Sequence, residues 1–180
     1  SDVELATRVA KLAGELVIEL RASFGVVEPH DNVRRKQLKD DADRAAHELI
    51  VGELALHRPG DAVLSEEGID QAQRADADRV WIVDPLDGTA EYGNGLADFA
   101  IHIALWEHGD SDHSGLRAGV VDLPAAGITR TTADPVSDLP TIDGGRPIRL
   151  VVSRSRPPAL AGAGLEKFAA QLADAGVTEH

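Results

Sequence analysis

Asp84 and Asp87 stand three positions apart at the end of an apolar run, in the stretch Trp81-Ile82-Val83-Asp84-Pro85-Leu86-Asp87-Gly88-Thr89. A strand end can aim two such carboxylates and a backbone carbonyl at one point, and hard divalent cations take several oxygen ligands at about 2.0–2.6 Å. Gly88 and Thr89 follow where a helix could begin, and the unpaired N–H groups and positive dipole end of a helix start can receive a phosphate. Carboxylates for a metal beside donors for a phosphate point to metal-assisted phosphate ester chemistry. In isolation D-P-x-D-G is also an ordinary turn, with proline setting φ, aspartate bonding its own backbone and glycine taking φ > 0.

Two further acidic sites precede this stretch. Ser65-Glu66-Glu67-Gly68 ends a short apolar segment, and by itself reads as a surface glutamate pair. Asp43 lies where a second helix is expected to begin, and alone it reads as a helix cap. His47, His57, His102 and His108 are not spaced like zinc ligands, and each reads as an ordinary surface or strand histidine. No serine or cysteine nucleophile is set in a recognisable elbow. Trp81 and Trp106 read as core or rim aromatics.

The elements that must position these groups follow from periodicity. Leu5, Val9, Leu12, Leu16 and Leu20 recur at steps of three and four, which predicts a first helix with Asp2 as its N-cap, ended by Gly25. Residues 26–39 hold Pro29 and the basic run Arg34-Arg35-Lys36, and predict a mobile loop. A second helix is expected from Asp41–Asp43 towards His57, stopped by Pro59-Gly60. Strands are predicted at 62–65, 79–84, 99–106, 116–122 and 127–131. The third alternates, with Phe99, Ile101, Ile103 and Leu105 on one face. The fold class is α+β: two helices on one side of a mostly antiparallel sheet over the first 132 residues. A proline- and glycine-bearing linker at 133–147 then leads to the start of an α/β unit at 148–180, with a strand at 148–153 and a helix at 160–175.

Composition sets outer limits. A hydrophobic share of 43% and a charged share of 27% fit a globular chain. No apolar run approaches the roughly 20 residues of a membrane span, so no membrane partner is expected. The net charge of −13 argues against a nucleic-acid polymer as partner. It leaves room for a small phosphorylated substrate, because a divalent ion reverses the local sign of an acidic site. The absence of cysteine excludes disulfides and thiolate metal sites, and fits a cytoplasmic location.

The stretch from Trp81 to Thr89 resembles the signature W-[IV]-[IV]-D-P-[IVL]-D-G-T of the inositol monophosphatase-like superfamily of Mg²⁺-dependent, often lithium-sensitive phosphatases. The resemblance implies a layered αβαβα sandwich of the inositol monophosphatase/fructose-1,6-bisphosphatase type. It further implies two or three Mg²⁺ ions held by Glu66, Asp84, the Leu86 carbonyl and Asp87. Glu66 and Thr89 would orient the attacking water, with Asp43 of the string Ala42-Asp43-Arg44-Ala45-Ala46 polarising it. Asp87, Gly88 and Thr89 would hold the phosphate. The continuation Asp87-Gly88-Thr89-Ala90-Glu91-Tyr92 is similar to that of the CysQ-type 3′-phosphoadenosine 5′-phosphate phosphatases, as are the residues from Arg58 to Glu67 and from His102 to Trp106. Ser153 and Arg156 fall in an S-R-S-[HR] segment that lies near the nucleotide in such enzymes.

The implied reaction is hydrolysis of the 3′-phosphate to give AMP and phosphate by direct water attack. Inositol-1-phosphate and fructose-1,6-bisphosphate are the alternative substrates, and a homodimer is a possible assembly. The superfamily's second signature, W-D-x-A-[AS], does not occur in this sequence. The second domain is therefore expected to be truncated, which leaves a catalytically silent metal- or phosphate-binding fragment as a reading from a different class.

Overall fold

The first helix, α1 (Asp2–Phe24), begins with a reciprocal cap. The Ser1 hydroxyl accepts from the Glu4 N–H, and the Glu4 carboxylate binds the Ser1 amino group. Asp2 is thus inside the helix rather than its cap. Its carboxylate is taken instead by Arg58 and Arg79. The buried stripe of α1 is Leu5, Val9, Ala13 and Val17 with Ala6, Ala10 and Gly14 beside it, whereas Leu12 is exposed. A stripe of small residues lets the backbone approach the sheet closely: a Cβ on Gly14 would stand 2.7 Å from Asp122 Oδ2 and 2.8 Å from Pro124 Cβ.

A computed structural model describes residues 1–28, 30–66, 77–109 and 115–135. The expected linker beyond Pro135 and the strand and helix at 148–153 and 160–175 lie outside them, as do Ser153 and Arg156.

The second helix corrects the expectation of a mobile loop at 26–39. It is α2 (Asn32–His57), capped by Asp31, whose side chain accepts from the Arg34 N–H at 3.0 Å. The Lys36–Asp40 pair one turn apart and the Arg35–Asn32 contact support its polar first half. Before Ala42 only Leu38 is buried, so hydrophobic periodicity starts late. From Leu38 the buried positions Ala42, Ala46, Ile50 and Leu54 recur every four residues and face the sheet.

Five strands form one sheet in the order β1-β2-β3-β4-β5: β1 (Ala62–Ser65), β2 (Arg79–Asp87), β3 (Ala100–Glu107), β4 (Gly115–Leu123) and β5 (Ile128–Thr131). The β1–β2 pair is parallel and the other three are antiparallel, matching the expected mostly antiparallel α+β layer. Both long helices cover one face, where Trp81, Val83, Leu86, Phe99, Ile101, Ile103, Leu105, Ala118 and Val120 join their stripes in the core. Burying side chains of this size stabilises the layer by about 1.5–3 kcal/mol apiece before the entropy cost of ordering them. A short helix, α3 (Thr89–Gly93), follows β2 directly.

The end of the layer is tied by Arg79. Its guanidinium contacts Asp2 at 3.0 Å, Asp61 at 3.0 Å and Glu107 at 2.9 Å, and Asp61 also accepts from the Trp81 indole N–H at 2.8 Å. Burial pushes the Asp2 carboxyl up, but hydrogen bonds from Arg79 and Arg58, with their charges, outweigh it and hold it below its ordinary value.

Candidate active site

Strand β2 continues past Asp84, through Pro85, to Asp87. Asp84 pairs with His102 and Asp87 with Ala100, so two residues on β2 oppose one on β3. This is a β-bulge, and a proline is tolerated there because the ladder is already interrupted. The bulge shifts the alternation by one residue. Val83, Pro85 and Leu86 are buried on the helix side, while Ile82, Asp84 and Asp87 remain open to the other face. A regular strand would place residue 86, not Asp87, on the face of Asp84. The Leu86 N–H donates to Asp84 Oδ1 at 3.2 Å and fixes the carboxylate against the bulge.

Glu66 reaches the same place along a different element. Ser65 is in register with Val83, and the Glu66 N–H donates to the Val83 carbonyl at 3.2 Å, continuing the parallel ladder. Glu66 therefore comes level with Asp84. Glu66, Asp84 and His102 line one open trough of about 670 Å³ on the sheet face away from the helices. Burial pushes the Asp84 carboxyl up, and the negative charges of Glu66 and then Asp87 push it further. The Leu86 N–H and His102 act the other way. His102 Nε2 also lies 3.9 Å from Asp87 Oδ2.

The Gly88 turn connects this strand to α3. Gly88 has φ 80° and ψ 33°, and a Cβ there would stand 2.6 Å from the Asp98 carbonyl oxygen. Only glycine meets both conditions. Tyr92, fully buried, donates its hydroxyl to the Val17 carbonyl of α1 at 2.8 Å and meets Phe99 edge-on at 5.2 Å. Arg21 of α1 lies over both rings, at 5.0 and 4.9 Å, and donates to the Leu96 carbonyl at 2.7 Å. The turn that carries Gly88 and Thr89 is thereby fastened to the helix layer.

Asp43 lies well inside α2, which excludes the capping role that its position in the sequence suggested. Lys39, Asp43 and His47 follow each other at four-residue steps along one side of the helix. The Lys39 stem packs on Gly93 of α3, where a Cβ would stand 2.8 Å from Lys39 Cγ. At the other end, His47 Nδ1 and Ser65 Oγ share a hydrogen bond of 2.8 Å, next to Glu66. Asp43 thus occupies the turn of α2 between a contact to α3 and a contact to the strand of Glu66.

Of the residues selected from the sequence, Glu66, Asp84 and Asp87 are brought into a common electrostatic field, with Gly88 and Thr89 immediately after them. Among the described residues no three carboxylate or imidazole groups stand in a ready-made coordination cluster. From the sequence, His102 and His47 read as ordinary strand or surface histidines. Neither is spaced as a metal ligand, and strand register and helix packing place them beside the carboxylates.

The fold and the carboxylate turn have counterparts among known proteins. The family described as "Inositol monophosphatase family" matches residues 2–136. The chain belongs to the inositol monophosphatase family. The 3′-phosphoadenosine 5′-phosphate phosphatase of Mycobacterium leprae is 41% identical over 167 residues, covering 89% of this chain and 59% of that protein. Among solved structures, CysQ from Bacteroides thetaiotaomicron, a bacterial member of the inositol monophosphatase family, superposes with a TM-score of 0.57 at 32% identity, over 73% of this chain and 45% of its own. The extragenic suppressor protein SuhB from Bartonella henselae gives a TM-score of 0.58 at 29% identity, over 73% of this chain and 48% of its own. The chain spans little more than half the length of the curated 3′-phosphoadenosine 5′-phosphate phosphatases it matches, 59% and 54% of two of them. Within the inositol monophosphatase family, the matched region is the layer that carries Glu66, Asp84, Asp87 and Gly88.

Proposed function

We infer that the chain is the metal- and phosphate-binding portion of a Mg²⁺-dependent phosphomonoester hydrolase acting on 3′-phosphoadenosine 5′-phosphate. The observation that carries this reading is the bulged end of β2, with Asp84 raised by burial and by the charges of Glu66 and Asp87, and the Gly88 turn just beyond it. Likeness to a relative named for that substrate supports the choice of nucleotide.

The donor set suits a hard cation: carboxylate oxygens on one sheet face, already repelling one another at Asp84. In this reading Glu66, Asp84, the Leu86 carbonyl and Asp87 hold Mg²⁺, which supplies water activation and neutralises phosphoryl charge when bound. Glu66 and the Thr89 hydroxyl orient the water, and Asp43 acts from α2 behind Thr89. The backbone N–H groups of Gly88 and Thr89 hold the phosphoryl oxygens, a fixed arrangement that orders the reactants before reaction. No helix among the described residues is long and apolar enough to cross a membrane. The same reading includes a cytoplasmic location and a homodimer, for which the lack of cysteine and the frequency of dimers among symmetric assemblies are the support.

The test is Mg²⁺-dependent phosphate release from 3′-phosphoadenosine 5′-phosphate, with inositol-1-phosphate and fructose-1,6-bisphosphate alongside. Preferential turnover of the nucleotide supports the reading. Equal or greater turnover of either sugar phosphate overturns the substrate, and a folded chain that binds Mg²⁺ without turnover favours the silent binding fragment.

A further inference from the structure

The His47–Ser65 hydrogen bond is a polar pair at a boundary otherwise closed by apolar groups. Ser65 is 6% exposed and shares the buried side of the sheet with Val83, its register partner. On α2 the neighbouring inward positions are Ala46 and Ile50. An alanine and a leucine would fill such a place without any hydrogen-bonding obligation. A buried hydroxyl, by contrast, loses free energy unless it finds a partner. Here it finds one at 2.8 Å, from the helix that precedes β1, 18 residues earlier in the chain.

The location gives the pair a use. Glu66 is exposed and follows Ser65 directly, and the Glu66 N–H is tied to the Val83 carbonyl. Two bonds therefore fix the chain as it leaves β1: one through the Glu66 backbone to β2, the other through the Ser65 side chain to α2. A hydrogen bond from a second element sets the direction in which the following carboxylate leaves the strand. His47 also stands one helical turn from Asp43, so the same bond sets the spacing between Asp43 on the helix and Glu66 on the sheet.

We propose that His47 is a positioning residue for Glu66, acting through Ser65. The role rests on the metal-phosphatase reading, since Glu66 is the carboxylate it would hold in place for the cation. The bond is directional, whereas apolar packing at the same place would fix distance but not orientation.

The experiment measures Mn²⁺ affinity of the full 180-residue chain by the paramagnetic resonance signal of the free ion, with urea unfolding on the same samples. Ser65→Ala and His47→Leu are each expected to weaken Mn²⁺ binding about 10-fold or more while the chains remain folded without urea, as loss of a group that orients a metal ligand does. His47→Asn places a side-chain amide where Nδ1 stands, and is expected to restore most of the affinity. A merely structural role would lower the urea midpoint without this rescue pattern in metal affinity. Unchanged affinity in folded Ser65→Ala overturns the proposal, and so does a His47→Asn chain as weak as His47→Leu. Where His47→Leu does not fold, Ser65→Ala decides, because it removes the same bond with little change in volume. Absence of Mn²⁺ binding by the parent chain overturns the metal reading and the positioning role with it. Parent binding with unaffected variants overturns the positioning role alone.

Discussion

Asp84 and Asp87 share a face of β2 only because a bulge at Pro85-Leu86 shifts the strand alternation by one residue. The price is electrostatic: Asp84 is partly buried and faces the charges of Glu66 and Asp87. A raised carboxyl binds its proton more tightly in the folded than in the unfolded state. Metal-free stability from this group therefore falls as pH rises from the ordinary 3.8 through the higher folded value. Asp84→Asn keeps an acceptor for the Leu86 N–H and removes the charge. It is expected to raise the Tm of the metal-free chain at neutral pH and to abolish Mg²⁺-dependent turnover. Calorimetry without metal, beside phosphate release with it, checks both; a lowered Tm would contradict the repulsion.

Gly88→Ala tests the turn. The substitution meets a positive φ and places Cβ 2.6 Å from the Asp98 carbonyl oxygen. Strain of this kind costs of order 1–3 kcal/mol, and backbone overlap adds to it. With the two together at about 3 kcal/mol, and about 2–4 °C per kcal/mol for a chain of this size, a fall in Tm of roughly 6–12 °C is expected. A thermal melt that stays within about 1 °C of the parent, well under that conversion, would show that the turn relaxes freely.

Arg79 joins Asp2, Asp61 and Glu107, so Arg79→Ala leaves three carboxylates without their common partner. A loss of about 2–3 kcal/mol is expected from charge-assisted hydrogen bonds in partly buried positions, visible as a lower urea midpoint. Asp2→Asn should act in the same direction with a distinct pH dependence. The Asp2 carboxyl is held below its ordinary 3.8, so its contribution is complete above that value and is lost as pH falls through the folded one. The difference in urea midpoint between parent and Asp2→Asn should therefore be full at pH 7 and shrink below about pH 4.

Tyr92 is the sole tyrosine, so the phenolate absorbance of the folded chain reports on it alone. Burial pushes its hydroxyl up to about 12, with the Arg21 charge opposing. Stability from this group is complete below the unfolded pKa near 10 and is lost as pH rises from there through about 12. An absorbance titration with its midpoint near the ordinary value would contradict the burial. Tyr92→Phe removes the bond to the Val17 carbonyl and is expected to cost about 1 kcal/mol.

The sequence made some of this legible and hid the rest for definite reasons. The alternation of Phe99, Ile101, Ile103 and Leu105 showed the buried face of β3, because one covered face imposes a period of two. The start of α2 was hidden, since the turns before Ala42 are held by the Asp31 cap and polar pairs and bury only Leu38. Leu12 kept the helical period yet is exposed, while the smaller Ala10, Ala13 and Gly14 took the close approach to the sheet. The strand expected at 79–84 runs on to Asp87, because Pro85 falls at the bulge. Glu66, Asp84, Asp87 and the Gly88 turn were legible as a motif. Their convergence with His102 and His47 depends on strand register and helix docking, which no local pattern encodes.

The fastening of α3 to α1 has a consequence for motion. A helix as short as Thr89–Gly93 has no lifetime of its own in water, since forming its first turn fixes several residues for one hydrogen bond. Here its opening must also break the Tyr92–Val17 bond, withdraw a buried ring and release Arg21 from Leu96. The amides of Tyr92 and Asn94 should then exchange with deuterated solvent as slowly as those of β3, rather than at the rate of a loop. Thr89 and Gly88 would be presented by a segment that opens only when the whole layer does.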